Sequence, residues 1–282
     1  WGMGYVGGIV LLLLLLALFI QSFGDPDAGG LLAVTKEGGW NIRLAVLASA
    51  LWFGAFAIPV LLRVPEIPAR SRQVRVGFFR SYVVLWGTLR SLWRDSREVL
   101  LFLVASAVFR DGLAGVFTFG AIIAAQVFGF SSTQVLYFAV AANVVAGVST
   151  FVAGRFDDRF GPRRVIVISL IGLIVLGGAV LFIGTSQGAF WITGLGLCAF
   201  VGPVQSASRS FLARVAPEGR EGEIFGLYAT TGRAVSFLAP GLFALFVGIT
   251  GDTRLGILGI VLILGAGLLL LIPVKAKPAV IV

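Results

Sequence analysis
Residues 154–164 read Gly154-Arg155-Phe156-Asp157-Asp158-Arg159-Phe160-Gly161-Pro162-Arg163-Arg164. Apolar runs flank this stretch, 133–154 before it and 165–184 after it, each about the 20 residues a helix needs to cross a bilayer. Its arginines and aspartates cannot sit in hydrocarbon, so two spanning helices must reverse here. Gly154 and Gly161 are expected to supply the permissive backbone of that reversal. Asp158 is placed to sit at a helix N-terminus or to pair with an arginine on a neighbouring helix end. Arg163 and Arg164 would anchor the following span on its basic side.

The same test worked outward gives six more spans: 4–21, 44–62, 99–126, 189–212, 224–248 and 255–274. The apolar stretches 112–154 and 165–208 are too long for one crossing, and each must turn once. Ser131-Ser132-Thr133-Gln134 and Gly184-Thr185-Ser186-Gln187-Gly188 are the turn signals. The expectation is an all-α polytopic membrane protein with eight transmembrane helices.

Composition agrees. Only 12% of residues are charged and 58% are hydrophobic, where a soluble domain carries about a quarter charged. A soluble core of this length cannot hide so much apolar surface, so the lipid bilayer is the first partner. The net charge of +9 does not indicate nucleic acid, because the cations lie between apolar runs and form no basic patch. There is no histidine, and the single cysteine, Cys198, lies inside an apolar run. Histidine catalysis, a disulfide framework and a cysteine-rich metal site are thereby excluded. The glycine clusters at 7–8, 172–178 and 194–196 follow no strand and precede no lysine, so they are not phosphate loops. No cofactor and no metal is expected. Asp25 and Asp27 read as turn chemistry in an outer loop. The chain opens Trp1-Gly2-Met3 with neither the basic region nor the small-residue cleavage site of a signal peptide; a native chain starts with Met, so a preceding N-terminal part is expected.

Basic residues set the orientation. With the charged segment 63–98 placed in the cytoplasm, alternation puts 155–164, the loop around Glu218–Glu223 and the C-terminus on the same side. Lys36, Arg43 and Arg254 fall outside, Arg110, Arg209 and Arg233 fall within spans, and every other Lys and Arg of the 22 lies inside. Within 74–96, Val76, Phe79, Val83, Leu89 and Leu92 interleave with Arg75, Arg80, Arg90 and Arg94, the pattern of an amphipathic helix lying on the inner leaflet. Arginine far outnumbers lysine, which points to a GC-rich bacterial genome and hence to a bacterial cytoplasmic membrane.

The 154–164 stretch resembles the signature loop of the major facilitator superfamily: Gly154, three residues, Asp158, Arg159, an aromatic residue, Gly161, one residue, then basic residues at 163 and 164. In that family the motif follows the second and eighth of twelve spans. With four spans before it, four after it and a long basic segment two spans upstream, the second placement is the one implied. Residues 1–62 would then be the last two helices of the N-terminal half, 63–97 the cytoplasmic central linker, 98–274 the C-terminal six-helix bundle and 275–282 a cytoplasmic tail. A closer resemblance is to the vacuole effluxer family related to autophagy proteins. It is carried by Gly4-Tyr5-Val6-Gly7-Gly8, Arg110-Asp111-Gly112, Ser206-Ala207-Ser208-Arg209-Ser210, Phe225-Gly226-Leu227-Tyr228, Gly232-Arg233, Ser236-Phe237-Leu238 and Pro240. That resemblance implies a secondary transporter, and its fungal members are implicated in exporting amino acids from the vacuole.

Ionisable residues at bilayer depth mark functional sites by default. Arg110 and Asp111 stand about 18–20 Å along a helix starting near Glu98, close to the middle of a core about 30 Å thick. Arg233, about 15 Å past Glu223, is the expected partner of Asp111. Arg209, one turn after Gln205, is near enough to the basic side to snorkel. Tyr228, Thr230, Thr231 and Asn143 add uncharged hydrogen-bonding groups. One expectation is a central polar cavity in which Arg110, Asp111 and Arg233 hold a solute carboxylate. Another makes Asp111 a proton-coupling group, with protons as the driving ion. A third makes Asp111–Arg233 a structural pair between helices. Pro203, Pro240 and Gly241 are expected to kink their spans. A small polar solute, an amino acid among the candidates, is the expected cargo, and no nucleophile with a base, nor clustered carboxylates, suggests an enzyme. The alternative reading is a non-transporting remnant.

Overall fold
In the computed structural model, which describes residues 2–22, 25–65 and 77–274, the apolar runs are helices. They are α1 (Gly2–Leu15), continued by a π-helical turn at Leu16–Ile20, α2 (Trp40–Arg63), α3 (Phe78–Asp95), α4 (Arg97–Gln126), α5 (Ser132–Phe160), α6 (Pro162–Val180), α7 (Gln187–Val215), α8 (Glu221–Ala234), α9 (Leu238–Thr250) and α10 (Gly256–Leu271). Among the described residues eight segments are long and apolar enough to cross a bilayer, with α8 and α9 together forming one of them. Residues 74–76 of the amphipathic segment and the tail 275–282 lie outside the described residues.

The chain divides into two compact units. Gly4–Tyr82 holds α1 and α2, joined by a short antiparallel ribbon pairing Ala28 with Thr35 and Gly29 with Val34. Lys36 Nζ closes this connection by donating to Ser22 Oγ at 2.6 Å and Pro26 O at 2.7 Å, and Asp25 Oδ1 accepts from the Asp27 amide, the turn chemistry expected there. Leu51, Phe53, Leu61 and Leu62 on α2 are largely exposed, which suits hydrocarbon and not water.

The second unit takes in the described residues from Val83 to Val274, with Gly2 and Met3. Its axis is α4, the most deeply buried of the spans. It packs on α10, α8, α7 and α9, while α5 and α6 both pack on α7 and α10 also meets α6 and α9. Phe102, Phe109, Leu113, Ile166, Leu170 and Phe211 are fully buried at its centre. Lipid offers helices no hydrophobic driving force for association, so close packing must supply it, and small residues allow that approach. Gly267 of α10 is pressed on the backbone of Phe109, where a Cβ would come within 2.6 Å of Phe109 Cβ. Gly202 of α7 lies against α5, where a Cβ would meet Ala146 O at 2.6 Å and Thr150 Oγ1 closer still.

The turns are sharper than the composition suggests. Ser131 and Gln134 form a reciprocal capping box at the start of α5, with bonds of 2.8 and 3.2 Å, and Ser186 Oγ caps α7 through the Ala189 amide. Both turn signals are therefore helix caps. Gln187 Nε2 ties the two loops by donating to Phe128 O and Gly129 O. At the signature stretch α5 runs helically to Phe160, and the reversal is confined to Gly161, at φ 84° and ψ 150°. Pro162 follows as the first residue of α6, where its missing N–H is harmless. Gly154 is not part of the turn: it is helical, and a Cβ there would have nothing within 4 Å.

The last-but-one span, expected to kink at Pro240 and Gly241, breaks earlier, at Val235–Phe237. Pro240 explains the displacement. Inside a continuous helix its ring would strike the carbonyl four residues back, whereas in the first turn of a new helix it is tolerated. Gly241 is regular helix, its amide donating to Phe237 O. Pro203, by contrast, sits within α7, which continues from Gln187 to Val215.

The second half of α3 rests on this unit. Leu92 is buried, Thr88 Oγ1 donates to Glu223 Oε1 at 2.6 Å, and Arg220 Nε donates to Glu223 Oε2 at 2.8 Å. At the exposed end of α3, the Arg94 side chain hydrogen-bonds Asp95 and holds its carboxyl below the usual range. Thr88→Val should cost about 0.5–1.5 kcal/mol, read as a small drop in the thermal midpoint in detergent, with α8 otherwise intact.

Candidate functional site
Arg110 and Asp111 are neighbours on α4, and together they straddle the broken span. The Arg110 side chain is half-buried. Its Nη1 donates to Tyr228 O at 2.8 Å, in the last two turns of α8. Its Cζ lies 3.9 Å from the centre of the Tyr228 ring, a cation–π distance. Gly232, one turn on, makes room for the guanidinium: a Cβ there would come within 3.0 Å of Arg110 Nη1.

Asp111 is buried, and its Oδ2 accepts from the Ala239 amide at 2.6 Å. Ala239 is the second residue of α9, so the carboxylate caps this helix from a neighbouring one. Phe237, the residue preceding α9, cannot supply that cap, because an apolar side chain accepts nothing. The two charges match the ends they face, cation toward the carbonyl end of α8 and anion at the amide end of α9.

This arrangement corrects one expectation. Arg233 is not the partner of Asp111: among the described residues no ion pair joins them, and Arg233 is exposed at the end of α8. The helix break is the reason. It presents the Ala239 amide to Asp111, while Arg233 stands in the last turn of the preceding helix. Arg209 donates to Gln205 O on its own helix at 3.5 Å, and Ser208 and Arg209 of α7 lie beside the buried Tyr228. Gln205 is half-buried on the same helix. Asn143 bonds within α5, its Nδ2 donating to Ala139 O at 2.8 Å. The structure therefore brings Arg110, Asp111, Tyr228 and the Arg209 turn to the broken span, leaves Arg233 open at its rim, and keeps the Asn143 amide on its own helix.

The signature stretch holds helix ends together. The carboxylate that pairs there is Asp157, which is buried and lies 3.5 Å from Arg214 Nη2 in the last turn of α7. Asp158 and Arg159 are exposed, since on a helix adjacent residues point about 100° apart and α5 is still helical here. Arg163 Nη2 donates to Ile272 O at 2.9 Å, at the carbonyl end of α10, a favourable place for a cation. Arg164 is exposed at the start of α6.

Across residues 1–280 the chain matches the family described as vacuole effluxer Atg22 like. It is similar to the uncharacterized MFS-type transporter YxiO of Bacillus subtilis (strain 168), with 22% identity over 271 residues covering 96% of this chain and 61% of the relative. It is similar to autophagy-related protein 22 of Cryptococcus neoformans var. neoformans serotype D (strain B-3501A), 25% identical, covering 89% and 49% respectively. A third relative is autophagy-related protein 22-1 of Aspergillus niger, 25% identical, covering 97% and 46%. The chain spans about half to three-fifths of the length of these relatives. The segments 110–112, 206–210, 225–228 and 232–240 lie on α4, α7, α8 and α9, which meet at the broken span. With eight spans arranged this way and a match over nearly all its residues, the chain belongs to the vacuole effluxer Atg22-like family of major facilitator type.

Proposed function
We propose that the protein is a secondary active transporter of a small polar solute, with amino acids as the leading class, and that residues 98–274 form one of its six-helix halves. The observation that carries this reading is Arg110: a half-buried cation midway along a 30-residue span, with one of its five N–H donors given to Tyr228 O and the others able to meet a carboxylate. Arg233, exposed and next in sequence to Gly232, is the second cation for an anionic group. Transporters of this kind place such sites near the midplane at discontinuous helices, and alternate access by rocking one bundle against another. The name of one relative, an MFS-type transporter, and the family's description as vacuole effluxer support the reading. The arginine-rich ends and the exposed Trp86 and Trp93 of α3 support a cytoplasmic placement for that helix at the inner leaflet.

The test is uptake or efflux of labelled amino acids in proteoliposomes of the full-length protein. Arg110→Lys keeps the charge but loses the planar fork, and should reduce transport about ten- to a hundredfold, chiefly through the apparent substrate affinity. Protein abundance should be unchanged. Transport equal to the parent with Arg110→Lys and with Arg110→Ala would overturn the assignment.

A further inference from the structure
An open groove of about 700 Å³ runs between α5 and α6, with α7 as its floor. Its walls are aliphatic and aromatic, including Val148, Val152, Phe156, Ile168 and Phe200, and Arg164 stands at one end. From Val144 to Phe160 it follows α5 for about 24 Å at 1.5 Å per residue, longer than the roughly 15 Å depth of one leaflet's hydrocarbon.

The charged end is suited to an anion. No side chain caps the N-terminus of α6, so the Arg163 and Arg164 amides are without helical partners and lie at the positive end of the helix dipole. The exposed Arg164 guanidinium lies at the same end, and Arg155 and Arg159 are exposed on the preceding helix. Of the two nearby carboxylates, Asp157 is engaged by Arg214, which leaves Asp158 against several cations. We propose that the groove is a binding site for one anionic phospholipid, its acyl chain along the α5–α6 wall and its phosphate at Arg164 and the first amides of α6. The site rests on the membrane-spanning fold alone and is independent of the transport reading.

Native mass spectrometry of the full chain, incubated with equal phosphatidylglycerol and phosphatidylcholine, reads the site directly. One phosphatidylglycerol should be retained, favoured about fivefold over phosphatidylcholine. Arg164→Gln should bring that preference to near unity, and Arg164→Lys should keep most of it. Val148→Trp, which fills the groove, should lower retention of both lipids. If Arg164→Gln does not fold, the Lys and Trp variants still decide the matter. Equal retention of the two lipids by the parent, an unchanged preference in Arg164→Gln, unaltered retention in Val148→Trp, displacement by millimolar inorganic phosphate, or a protein segment cross-linked in the groove would each overturn the proposal.

Discussion
Asp111→Ala should destabilise the protein by about 2–3 kcal/mol, the usual result of removing a charged acceptor from a buried donor, and should abolish transport. The Ala239 amide then has neither water nor a helical carbonyl to bond, because it belongs to the first turn of α9. Asp111→Asn is the informative companion. Its amide oxygen can still accept from Ala239, so it should retain most of the stability, losing about 1 kcal/mol. Denaturation in detergent and transport in proteoliposomes separate the roles. If Asp111 only positions α9, the Asn variant transports nearly as the parent does. If Asp111 also carries a coupling proton, the Asn variant folds and binds solute, but gradient-driven accumulation fails. A parent-like midpoint for Asp111→Ala would show that the cap contributes nothing.

Gly202→Ala should be as damaging, although it adds one carbon. That carbon would fall on Ala146 O and Thr150 Oγ1, and a backbone oxygen cannot rotate away. The α5–α7 crossing must widen, at about 1–3 kcal/mol or more, and the thermal midpoint should fall accordingly. Gly154→Ala is the control within the same helix pair. With open space around it and ordinary helical backbone, it should be neutral or stabilising by about 0.5–1 kcal/mol. Equal midpoints for the two variants would refute the packing argument.

The spans, their number and most of their ends were legible because hydrocarbon imposes a length and a polarity that composition reveals directly. Arg110 and Asp111 stood out for the same reason. Their partners did not. Ala239 offers only a backbone amide, available because Pro240 forces a new helix to begin, and nothing at position 239 itself announces a bond. The choice of Asp157 over Asp158 depends on how far α5 continues before turning. A hairpin loop was expected across the stretch, and one further helical turn rotates which carboxylate faces Arg214. Gly202 and Gly267 were visible as small residues, but which helix each touches is a property of the packed bundle.

The single-residue hinge at Gly161 has a practical consequence. Two rods welded at one joint have no slack, so tilting α5 must drag the start of α6 with it, and α10 follows through Arg163. Engineers wishing to attach a fluorophore or an epitope should therefore leave this corner alone and use the Pro217–Arg220 bend, where the chain already spends several residues between α7 and α8.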